Sequence, residues 1–407
     1  MTEDNLSLKA INAVLMGERT FCKFMSANDS GESGAHQAGI YIPKSSISIL
    51  FDDPGKKGEN KERWVNIDWQ DGKVITHSRF IYYGQGTRNE YRITNFGKGF
   101  PYIRPEFTGA LFVLVKKETE EYEAFVLNSD DEIQQFLDSF GMTPAETNRL
   151  IDNDKASADL IEKAEIDDFI AHLTEDFPLS EEMAREARLV SYSRIFNKRI
   201  TCMNSYEDKI NKLIISNPDK LLLDWTEEEF RVFRAIENYR YGEEVKKGFS
   251  SVDDFIALAN KVLNRRKSRA GKSLEHHLAA IFDGNQIRYT AQAITEGNKR
   301  PDFIFPSEED YHNVQFSIEK LCSLAAKTTC KDRWRQILNE GDRFKDRHKY
   351  LCTMQQGISS AQMDEMEAEK VILVVPKPYI SSYPQDKQSR IWTISHFVGF
   401  VREMEDI

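Results

Sequence analysis

Three residues in the last third of the chain have the types and the order that phosphodiester hydrolysis requires. Asp302 lies at the start of a short apolar run, and Lys327 follows it by 25 residues in the strand-like segment SLAAKTT. Glu340 lies 13 residues further on. Two carboxylates and a backbone carbonyl are hard oxygen ligands suited to Mg²⁺, and an ammonium group beside them can stabilise a hydroxide or a phosphate oxygen. The order therefore indicates a Mg²⁺ site that hydrolyses phosphodiesters.

The elements that carry Lys327 and Glu340 must bring both side chains to the sheet edge where Asp302 enters its strand. Alternation along the strand directs Ala325 and Lys327 toward the same edge. The segment KDRWRQILNE is predicted to be an α-helix, and at about 100° per residue Arg333 and Glu340 share its polar side. The three functional groups would then meet in one cleft.

The same three residues also have an ordinary structural interpretation. Asp302 could cap a turn, Lys327 could be solvated, and Glu340 could pair with Arg343 or Lys345 at helical spacing. A Pro-Asp pair followed by a distant lysine is common by chance, so the isolated residues favour this interpretation. Convergence of the three side chains in space would decide between the two.

A first basic segment, NRRKSRAGK at 264–272, is a candidate phosphate-binding element. It contains Arg265, Arg266 and Arg269 with no acidic residue among them. A helix follows it, and Glu275 in the first turns of that helix is a candidate supporting carboxylate. A solvated basic face is the alternative interpretation of such a cluster.

A second segment and one tryptophan are candidates for contacts with bases. Lys331, Asp332 and Arg333 offer two donors around an acceptor, which suits guanine and cytosine edges in the major groove, although an ion-paired surface would look similar. Trp225 is predicted at the start of a helix with Asp224 as its N-cap. Core packing is the ordinary role of a tryptophan there, and stacking on an extruded base is the functional one.

Length and composition indicate a two-domain intracellular protein. The 407 residues are 40% hydrophobic, no apolar run reaches the length of a membrane span, and the amino terminus lacks a secretory signal. Five cysteines without a CxxC pair predict free thiols in the cytoplasm. The net charge is −11, but the segment 118–182 alone carries 20 acidic and 3 basic residues. The remainder is net positive, which permits binding to a polyanion such as DNA.

The pattern changes from strands to helices along the chain, which predicts two domains, 1–170 and 180–407. Short strand-like runs separated by turns predict a small barrel or sandwich in the first domain, and an acidic connection ends it. Helices on either side of a few central strands predict an α/β second domain. The expected strands of the first domain are 38–43, 46–51, 63–69, 79–84, 91–97 and 109–117.

Longer stretches in both halves resemble the EcoRII family of type II restriction endonucleases. In the first half, SANDSGESGAHQAGIYIP and TRNEYRIT are similar to the family's effector domain, a barrel similar to the plant B3 DNA-binding fold. In the second half, GFSSVDDFIALAN, NRRKSRAGKSLE, QAITEGNKRPDFIFPS and KTTCKDRWRQILNE are similar to its catalytic domain. The segment 118–215 matches poorly. Similar stretches in the same order are more specific than an isolated aspartate and lysine.

The resemblance implies an N-terminal all-β B3-like DNA-binding pseudobarrel and a C-terminal α/β PD-(D/E)xK restriction-endonuclease-like domain. In that fold Asp302 and Glu340 would hold the metal and Lys327 would act in catalysis. Ala325 stands where the common pattern of the superfamily has an acidic residue. In this branch the second carboxylate comes from the helix that follows the strand, and Glu340 fits that displacement.

The resemblance also implies DNA contacts. Lys331, Asp332 and Arg333 would read the CC and GG parts of a CCWGG or CCNGG site whose central base pair is flipped out. Trp225 stands where the family pattern has an arginine, and Tyr91 stands where it has a lysine. Glycine-rich loops of the first domain, where recognition residues tend to lie, would bind a second copy of the site as effector. The residues implied there are His36, Tyr41, Arg88, Glu90 and Arg92.

The sequence therefore predicts a Mg²⁺-dependent, site-specific endonuclease for double-stranded DNA. By resemblance it would be a homodimer through the C-terminal domain, in a restriction-modification system with a DNA methyltransferase as functional companion. Two rivals have other functions. One is a sequence-specific DNA-binding regulator without catalysis, and the other is a repair nuclease of the same fold that prefers branched or damaged DNA.

Overall fold

The computed structural model describes residues 6–32, 39–117, 121–151, 177–196 and 203–406, together with residues 166, 169, 170, 173 and 200. These residues form an amino-terminal unit around one β-sheet and a carboxy-terminal unit around another. Most of the acidic connection lies outside the described residues. Within the described ranges, no helix combines the length and the apolar character needed to cross a membrane.

An eight-stranded sheet forms the framework of the amino-terminal unit. Its strands are β1 Arg19–Phe24, β2 Ile40–Ile42, β3 Lys61–Trp69, β4 Val74–Tyr83, β5 Glu90–Thr94, β6 Leu111–Lys116, β7 Tyr122–Leu127 and β8 Arg149–Ile151. Their spatial order is β2-β5-β4-β3-β7-β6-β1-β8. Neighbours are antiparallel except β3 and β7, which run parallel.

Both faces of this sheet are buried, because alternate side chains of its central strands enter two different cores. In β1, Phe21 packs with Trp69 in one core, whereas Cys22 belongs to the other. The second core is closed by helices α1 (Leu6–Met16) and α2 (Asp130–Phe140). The unit is therefore a β-sheet domain with two helices on one face, where the sequence predicted strands for most of its length.

Helix α2 has strong start and stop signals. The Ser129 hydroxyl accepts a hydrogen bond from the Glu132 backbone N–H, and the Glu132 carboxylate accepts one from the Ser129 N–H, which is a capping box. Gly141 ends the helix in the left-handed region at φ 64°. The first turn is acidic, with Asp130 and Asp131 before Glu132. The helix thus presents a negative amino-terminal end to the second domain.

One predicted strand of the first domain is wrong. Segment 46–51 lies mostly in a 3₁₀ helix, Lys44–Ile49, that follows Pro43. Its buried residues, Ser46 and Ile49, are three apart, which is the period of a 3₁₀ helix rather than of a strand. The other five predicted strands are present as β2 to β6, with ends shifted by a few residues.

The carboxy-terminal unit contains a five-stranded sheet, ordered β13-β12-β11-β10-β9 once its strands are numbered along the chain. The strands are β9 Thr290–Ala291, β10 Phe303–Phe305, β11 Cys322–Lys327, β12 Lys349–Thr353 and β13 Val371–Val374. β10 is antiparallel to its two neighbours, β9 and β11, whereas β11, β12 and β13 run parallel. This mixed sheet leaves the ends of β10 and β11 open at one edge.

Helices cover the sheet on both faces, which confirms the predicted α/β character of this domain. The helices are α3 Ser180–Phe196, α4 Glu207–Ser216, α5 Pro218–Lys247, α6 Val252–Gly284, α7 Glu308–His312, α8 Ser360–Ala368 and α9 Ile394–Glu405. Residues of α5, α6 and α9 share one core with the sheet, including Trp225 and Phe282. Residues of α8 and of the segment after β11, including Trp334, form the core on the other face.

Two local predictions in this domain are corrected. The helix around Trp225 begins at Pro218, so Asp224 is not an N-cap but pairs with Lys220 on the helix surface. The segment after β11 is a 3₁₀ helix, Arg333–Asn339, and not an α-helix. Its buried residues Trp334 and Ile337 are three residues apart, so in a 3₁₀ helix both side chains lie on the same face and pack into the core.

Candidate active site

Asp302 and Lys327 meet where two adjacent strands end. Asp302 directly precedes β10 and Lys327 is the last residue of β11, and the antiparallel register pairs Phe303 with Leu324. The Lys327 Nζ lies 3.0 Å from Asp302 Oδ2. The same oxygen accepts a hydrogen bond of 2.7 Å from the Ala326 backbone N–H. The ordinary interpretation of a turn cap and a solvated lysine is therefore excluded for this pair.

Glu340, the third residue of the predicted triad, is influenced by the charges of the other two. It follows the 3₁₀ helix directly and is half-buried. Burial raises the pKa of Glu340 to about 7, the Lys327 ammonium opposes that shift, and the Asp302 carboxylate adds to it. Arg343, the alternative partner, instead donates to the backbone carbonyls of residues 310, 311, 313 and 316. The charges of the three groups therefore influence one another. The sequence predicted an α-helix before Glu340, whereas the structure has a 3₁₀ helix there.

Two further side chains extend the site. Glu275 projects from α6, and burial followed by the Asp302 charge raises its pKa. The Gln292 Nε2 donates to both Glu275 Oε2 at 3.1 Å and Asp302 Oδ1 at 3.0 Å. Glu275 is among the residues predicted from the sequence, whereas Gln292 is not. Neither residue type nor spacing marked Gln292, because its contact with Glu275 depends on how the end of β9 lies against α6 in the fold.

The donor set fits a hard divalent cation. Asp302 contacts Lys327 directly, and the charges of Asp302 and Lys327 influence both Glu340 and Glu275; carboxylate oxygens of this kind are those that Mg²⁺ binds together with water. Asp302 Oδ2 is occupied by Lys327 and Ala326, whereas Oδ1 accepts a hydrogen bond from the Gln292 amide, which also contacts Glu275. In the described part of the chain no group of three or more His, Cys, Asp or Glu side chains is already close enough to form a metal cage. A cation would therefore have to draw the carboxylates closer together.

The segment that was expected to read bases is covered by the amino-terminal domain. Lys331 is buried, and its ammonium donates to the carbonyls of Glu106 and Thr108, at 3.2 and 3.4 Å, and to the Asn128 side chain. Burial lowers the pKa of Lys331 to about 8. Arg333 forms an ion pair of 2.8 Å with Asp131 of α2. These side chains are turned toward protein in this arrangement of the domains.

The centre of this contact is Asp130, the first residue of α2. Its carboxylate accepts hydrogen bonds from three consecutive backbone N–H groups, those of Lys331 at 3.1 Å, Asp332 at 2.5 Å and Arg333 at 2.9 Å. In return, Asp332 Oδ2 accepts a hydrogen bond of 3.0 Å from the Asp130 N–H. Consecutive N–H groups of this kind form an anion-binding concavity. Asp130 occupies it.

The basic segment of α6 holds the other end of α2. Arg266 forms an ion pair of 2.6 Å with Glu237 and also donates to the carbonyl of Ser139, in the last turn of α2. Arg269 is buried and donates to the Gly141 carbonyl at 3.1 Å. The Arg265 guanidinium lies 4.7 Å from the ring centroid of Phe177. The predicted phosphate-binding arginines are thus engaged within the protein here.

A second contact joins the domains on the far side of α2. Glu32 Oε1 accepts a hydrogen bond of 2.7 Å from the Ser360 N–H at the start of α8. Gly109 and Gly357 both have positive φ and approach so closely that a Cβ on Gly109 would lie 2.0 Å from the Gly357 carbonyl oxygen. Gln355 donates to the Gly109 carbonyl at 2.8 Å. The two domains therefore fit together over several independent contacts.

The candidate effector residues of the first domain group around β2 and β5. Tyr41 and Arg92 are register partners in these strands, and Arg92 pairs with Glu90 at 3.3 Å. Arg88 lies in the preceding loop with its guanidinium 5.2 Å from the Tyr83 ring centroid. His36 lies outside the described residues. Tyr41, Glu90 and Arg92 thus lie on adjacent strands of the sheet, and Arg88 lies in the loop before β5.

Trp225 is fully buried in the core of the second domain. Its ring packs edge-on against Tyr192 at 5.9 Å between centroids and lies 5.8 Å from the His277 ring. Among the described residues its indole N–H has no hydrogen-bond partner. The core role that the sequence analysis gave as the ordinary one is the role seen in this arrangement.

Two families of known proteins match the chain. The family described as "Restriction endonuclease EcoRII, N-terminal" matches residues 15–145, and the family described as "EcoRII C terminal" matches residues 233–398. The chain is 38% identical over 398 residues to "Type II restriction enzyme EcoRII" of Escherichia coli, covering 93% of each protein. It is 24% identical over 202 residues to "Type II restriction enzyme SsoII" of Shigella sonnei, covering 42% of this chain and 65% of that protein.

Two solved structures that match part of the chain are described as DNA complexes. "Metal-depleted Ecl18kI in complex with uncleaved, modified DNA" matches at 17% identity and a TM-score of 0.45, over 60% of this chain and 84% of that one. "Restriction endonuclease PspGI-substrate DNA complex" matches at 15% identity and a TM-score of 0.45, over 56% and 94%. The full-length sequence match and the two domain matches carry the assignment: the chain belongs to the EcoRII family of type II restriction endonucleases.

Proposed function

We propose that the protein cuts both strands of DNA at a site of the CCWGG or CCNGG kind and that its cofactor is Mg²⁺. The observation that carries this proposal is the direct contact of Lys327 with Asp302, with Glu340 and Glu275 in the same electrostatic environment. A cognate DNA methyltransferase would be its companion in a restriction-modification system.

Each residue of the site has a role in this proposal. Asp302, Glu340 and a strand carbonyl hold the cation, and Glu275 supports them as a further carboxylate. The cation supplies Lewis acidity to the phosphate and lowers the pKa of a bound water. Lys327 orients the water and stabilises negative charge on the phosphate oxygens, because its ammonium is fixed beside Asp302 by the strand register.

The test of this function uses plasmid DNA and sequenced ends. Incubation with Mg²⁺ is expected to give a fixed set of fragments whose ends all derive from one short sequence, and a chelator should prevent cutting. A gel shift without any cutting would instead favour the regulator. Cutting confined to branched or damaged DNA would favour the repair nuclease.

We also propose that the amino-terminal domain restrains cutting until it moves. Lys331 is buried and Arg333 is paired with Asp131, so both side chains would have to leave these partners before they could contact bases. A second copy of the site bound by the first domain, through Tyr41 and its neighbours on β2 and β5, would favour separation of the domains. Binding to one state more tightly than to the other is the only way in which a ligand shifts such an equilibrium.

The surface proposed for homodimerisation is an apolar stripe on the first half of α6. Val252, Ile256, Ala259 and Leu263 follow one another at spacings of four, three and four residues, as in a coiled-coil seam. Val252, Ile256 and Leu263 are 73%, 47% and 41% exposed. In an antiparallel pair of these helices, the acidic start of each one would approach the basic stretch of the other. The stripe is therefore complementary to a second copy of itself.

Ile256→Asp is expected to weaken the dimer by about 100-fold, because pairing would bury an unpaired carboxylate in the seam. Light scattering coupled to size-exclusion chromatography measures the change as a shift from dimer to monomer at micromolar protein. Ile75→Asp is the matched control, since Ile75 is 71% exposed on β4 of the other domain. A dimer unaffected by Ile256→Asp would place the interface elsewhere.

Glu340→Gln is expected to stabilise the metal-free protein at alkaline pH. The pKa of Glu340 in the folded protein, about 7, lies above the ordinary value of 4.5, so the folded state binds this proton more tightly than the unfolded state. The stabilisation that the proton on Glu340 contributes to the folded state is fully present below the ordinary pKa and is lost as the pH rises through about 7. Relative to the variant, the wild type should lose roughly 1–3 kcal/mol of unfolding free energy between pH 5 and pH 8.

Urea unfolding in a chelator at several pH values measures this difference. Glu309→Gln is the control, because Glu309 is exposed on α7. Equal pH dependence in wild type and Glu340→Gln would mean that the carboxyl group of Glu340 is not held in a buried, anionic environment.

A further inference from the structure

Gln292 lies between two carboxylates in a backbone conformation that glutamine seldom adopts. It directly follows β9 with φ 52°, in the left-handed region. Its backbone N–H donates to the Asp302 carbonyl at 3.0 Å, and its side-chain Nε2 donates to Asp302 Oδ1. The residue is therefore tied to Asp302 twice, once through the main chain and once through the amide.

The amide group must present its nitrogen to the carboxylates. An amide oxygen 3.0 to 3.1 Å from two carboxylate oxygens would be repelled by both, whereas NH₂ offers one hydrogen to each. Glu275 and Asp302 are thus held by one neutral donor. The three carboxylates of the site outnumber the single ammonium of Lys327, so the position of this NH₂ group is also attractive to a cation.

Backbone strain of this kind persists only where the surroundings enforce it, and it concentrates at functional sites. The strained backbone of Gln292 directs its side chain across the end of β10 toward α6. In that position the amide satisfies two carboxylates that would otherwise repel each other. The strain therefore accompanies a contact that links the two carboxylates.

We propose that the Gln292 amide holds the place of a divalent cation between Glu275 and Asp302 and is displaced when the cation binds there. This inference rests on the proposed function in one respect, that a divalent cation binds at Asp302. A contact made only in the metal-free state lowers the apparent affinity for the cation, since binding has to break it. Gln292 would thereby set how much divalent metal the site needs before it is loaded.

Gln292→Ala is expected to bind Ca²⁺ about tenfold more tightly than the wild type, because two hydrogen bonds to charged groups no longer compete. Isothermal titration of the DNA-free protein with CaCl₂ measures this without relying on cleavage. Gln292→Glu is the second variant, since it keeps the length of the side chain and adds a carboxylate. It should bind Ca²⁺ at least as tightly as Gln292→Ala.

Gln286→Ala is the matched control. Gln286 is an exposed glutamine just after α6, also in the left-handed region at φ 59°, so its replacement reproduces the backbone effect away from the carboxylates. Its Ca²⁺ affinity should equal that of the wild type. Thermal melting verifies that each variant is folded.

Each other outcome has a definite meaning. Unchanged or weaker Ca²⁺ binding in Gln292→Ala, with normal binding by the wild type, would overturn the placeholder role while leaving the proposed nuclease function standing. Weaker binding in particular would identify Gln292 as a group that positions the ligands. Absence of Ca²⁺ binding by the wild type and by both Gln292 variants would overturn the cation site itself and the inference with it.

Discussion

Replacing Lys327 by alanine is expected to lower the rate of DNA cleavage by about 10³-fold while DNA binding stays within a few-fold of the wild type. The Lys327 ammonium lies 3.0 Å from Asp302 Oδ2 at the open end of the sheet, where it can meet charge that develops on a phosphate. The variant keeps the Ala326 N–H as a donor to Asp302, so the strand end retains its main-chain contact. Single-turnover cleavage of a labelled duplex in Mg²⁺ measures the rate, and a gel shift in Ca²⁺ measures binding.

Lys349→Ala is the control for this experiment. Lys349 begins β12, the parallel neighbour of β11, and is therefore at the opposite end of the same sheet from Lys327. It is buried, so its replacement tests the sensitivity of the fold to losing a lysine from this sheet. We expect cleavage to continue in Lys349→Ala. Discrete fragments produced by Lys327→Ala at a rate near that of the wild type would show that the chemistry takes place elsewhere.

Replacing Asp130 by alanine is expected to raise the rate of cleavage on a duplex with a single site by about tenfold or more. Its carboxylate accepts three backbone hydrogen bonds from the Lys331–Arg333 segment, and these bonds hold α2 over the residues proposed to read bases. Hydrogen bonds to a charged group contribute roughly 1.5–3 kcal/mol each. When the domains separate, new hydrogen bonds to water recover part of this energy. A net loss of about 1–3 kcal/mol shifts the ratio of closed to open protein by roughly 5- to 150-fold.

The measurement compares initial cleavage rates with and without a second duplex that carries the site. Asp130→Ala should cut faster without the second duplex and gain less from its addition than the wild type does. Glu62→Ala is the control, because Glu62 pairs with Arg79 on the same domain, away from α2. A rate for Asp130→Ala at or below that of the wild type would show that α2 does not restrain cutting.

The sequence was sufficient for the parts of the site that depend on local pattern. Asp302 and Lys327 belong to two strands of a hairpin-like pair, and strand periodicity with residue type was enough to bring them together. Glu340 was predicted on an α-helix, whereas the segment is a 3₁₀ helix that ends directly before it. Both helix types leave Glu340 at the end of a short element that begins just after β11, and its role at the site stays a prediction.

Long-range contacts account for what the sequence did not show. Lys331 and Arg333 were expected at a DNA surface, but their partners in α2 and the preceding loop lie about 200 residues earlier in the chain. A local sequence pattern does not show which face of one domain packs on which segment of the other domain. Gln292 was missed for a related reason, since its role comes from a left-handed backbone and a contact with α6 that neither propensity nor spacing reveals.

Anomalous diffraction from crystals grown with a cognate duplex and Mn²⁺ tests the central claim most directly. The claim is that Asp302, Glu340 and Lys327 gather one divalent cation at a phosphodiester. We expect the strongest Mn²⁺ peak within bonding distance of Asp302 and Glu340, next to a DNA phosphate and close to the Lys327 ammonium. A duplex bound in the cleft with no peak at these carboxylates, or with Mn²⁺ held by other residues, would contradict it.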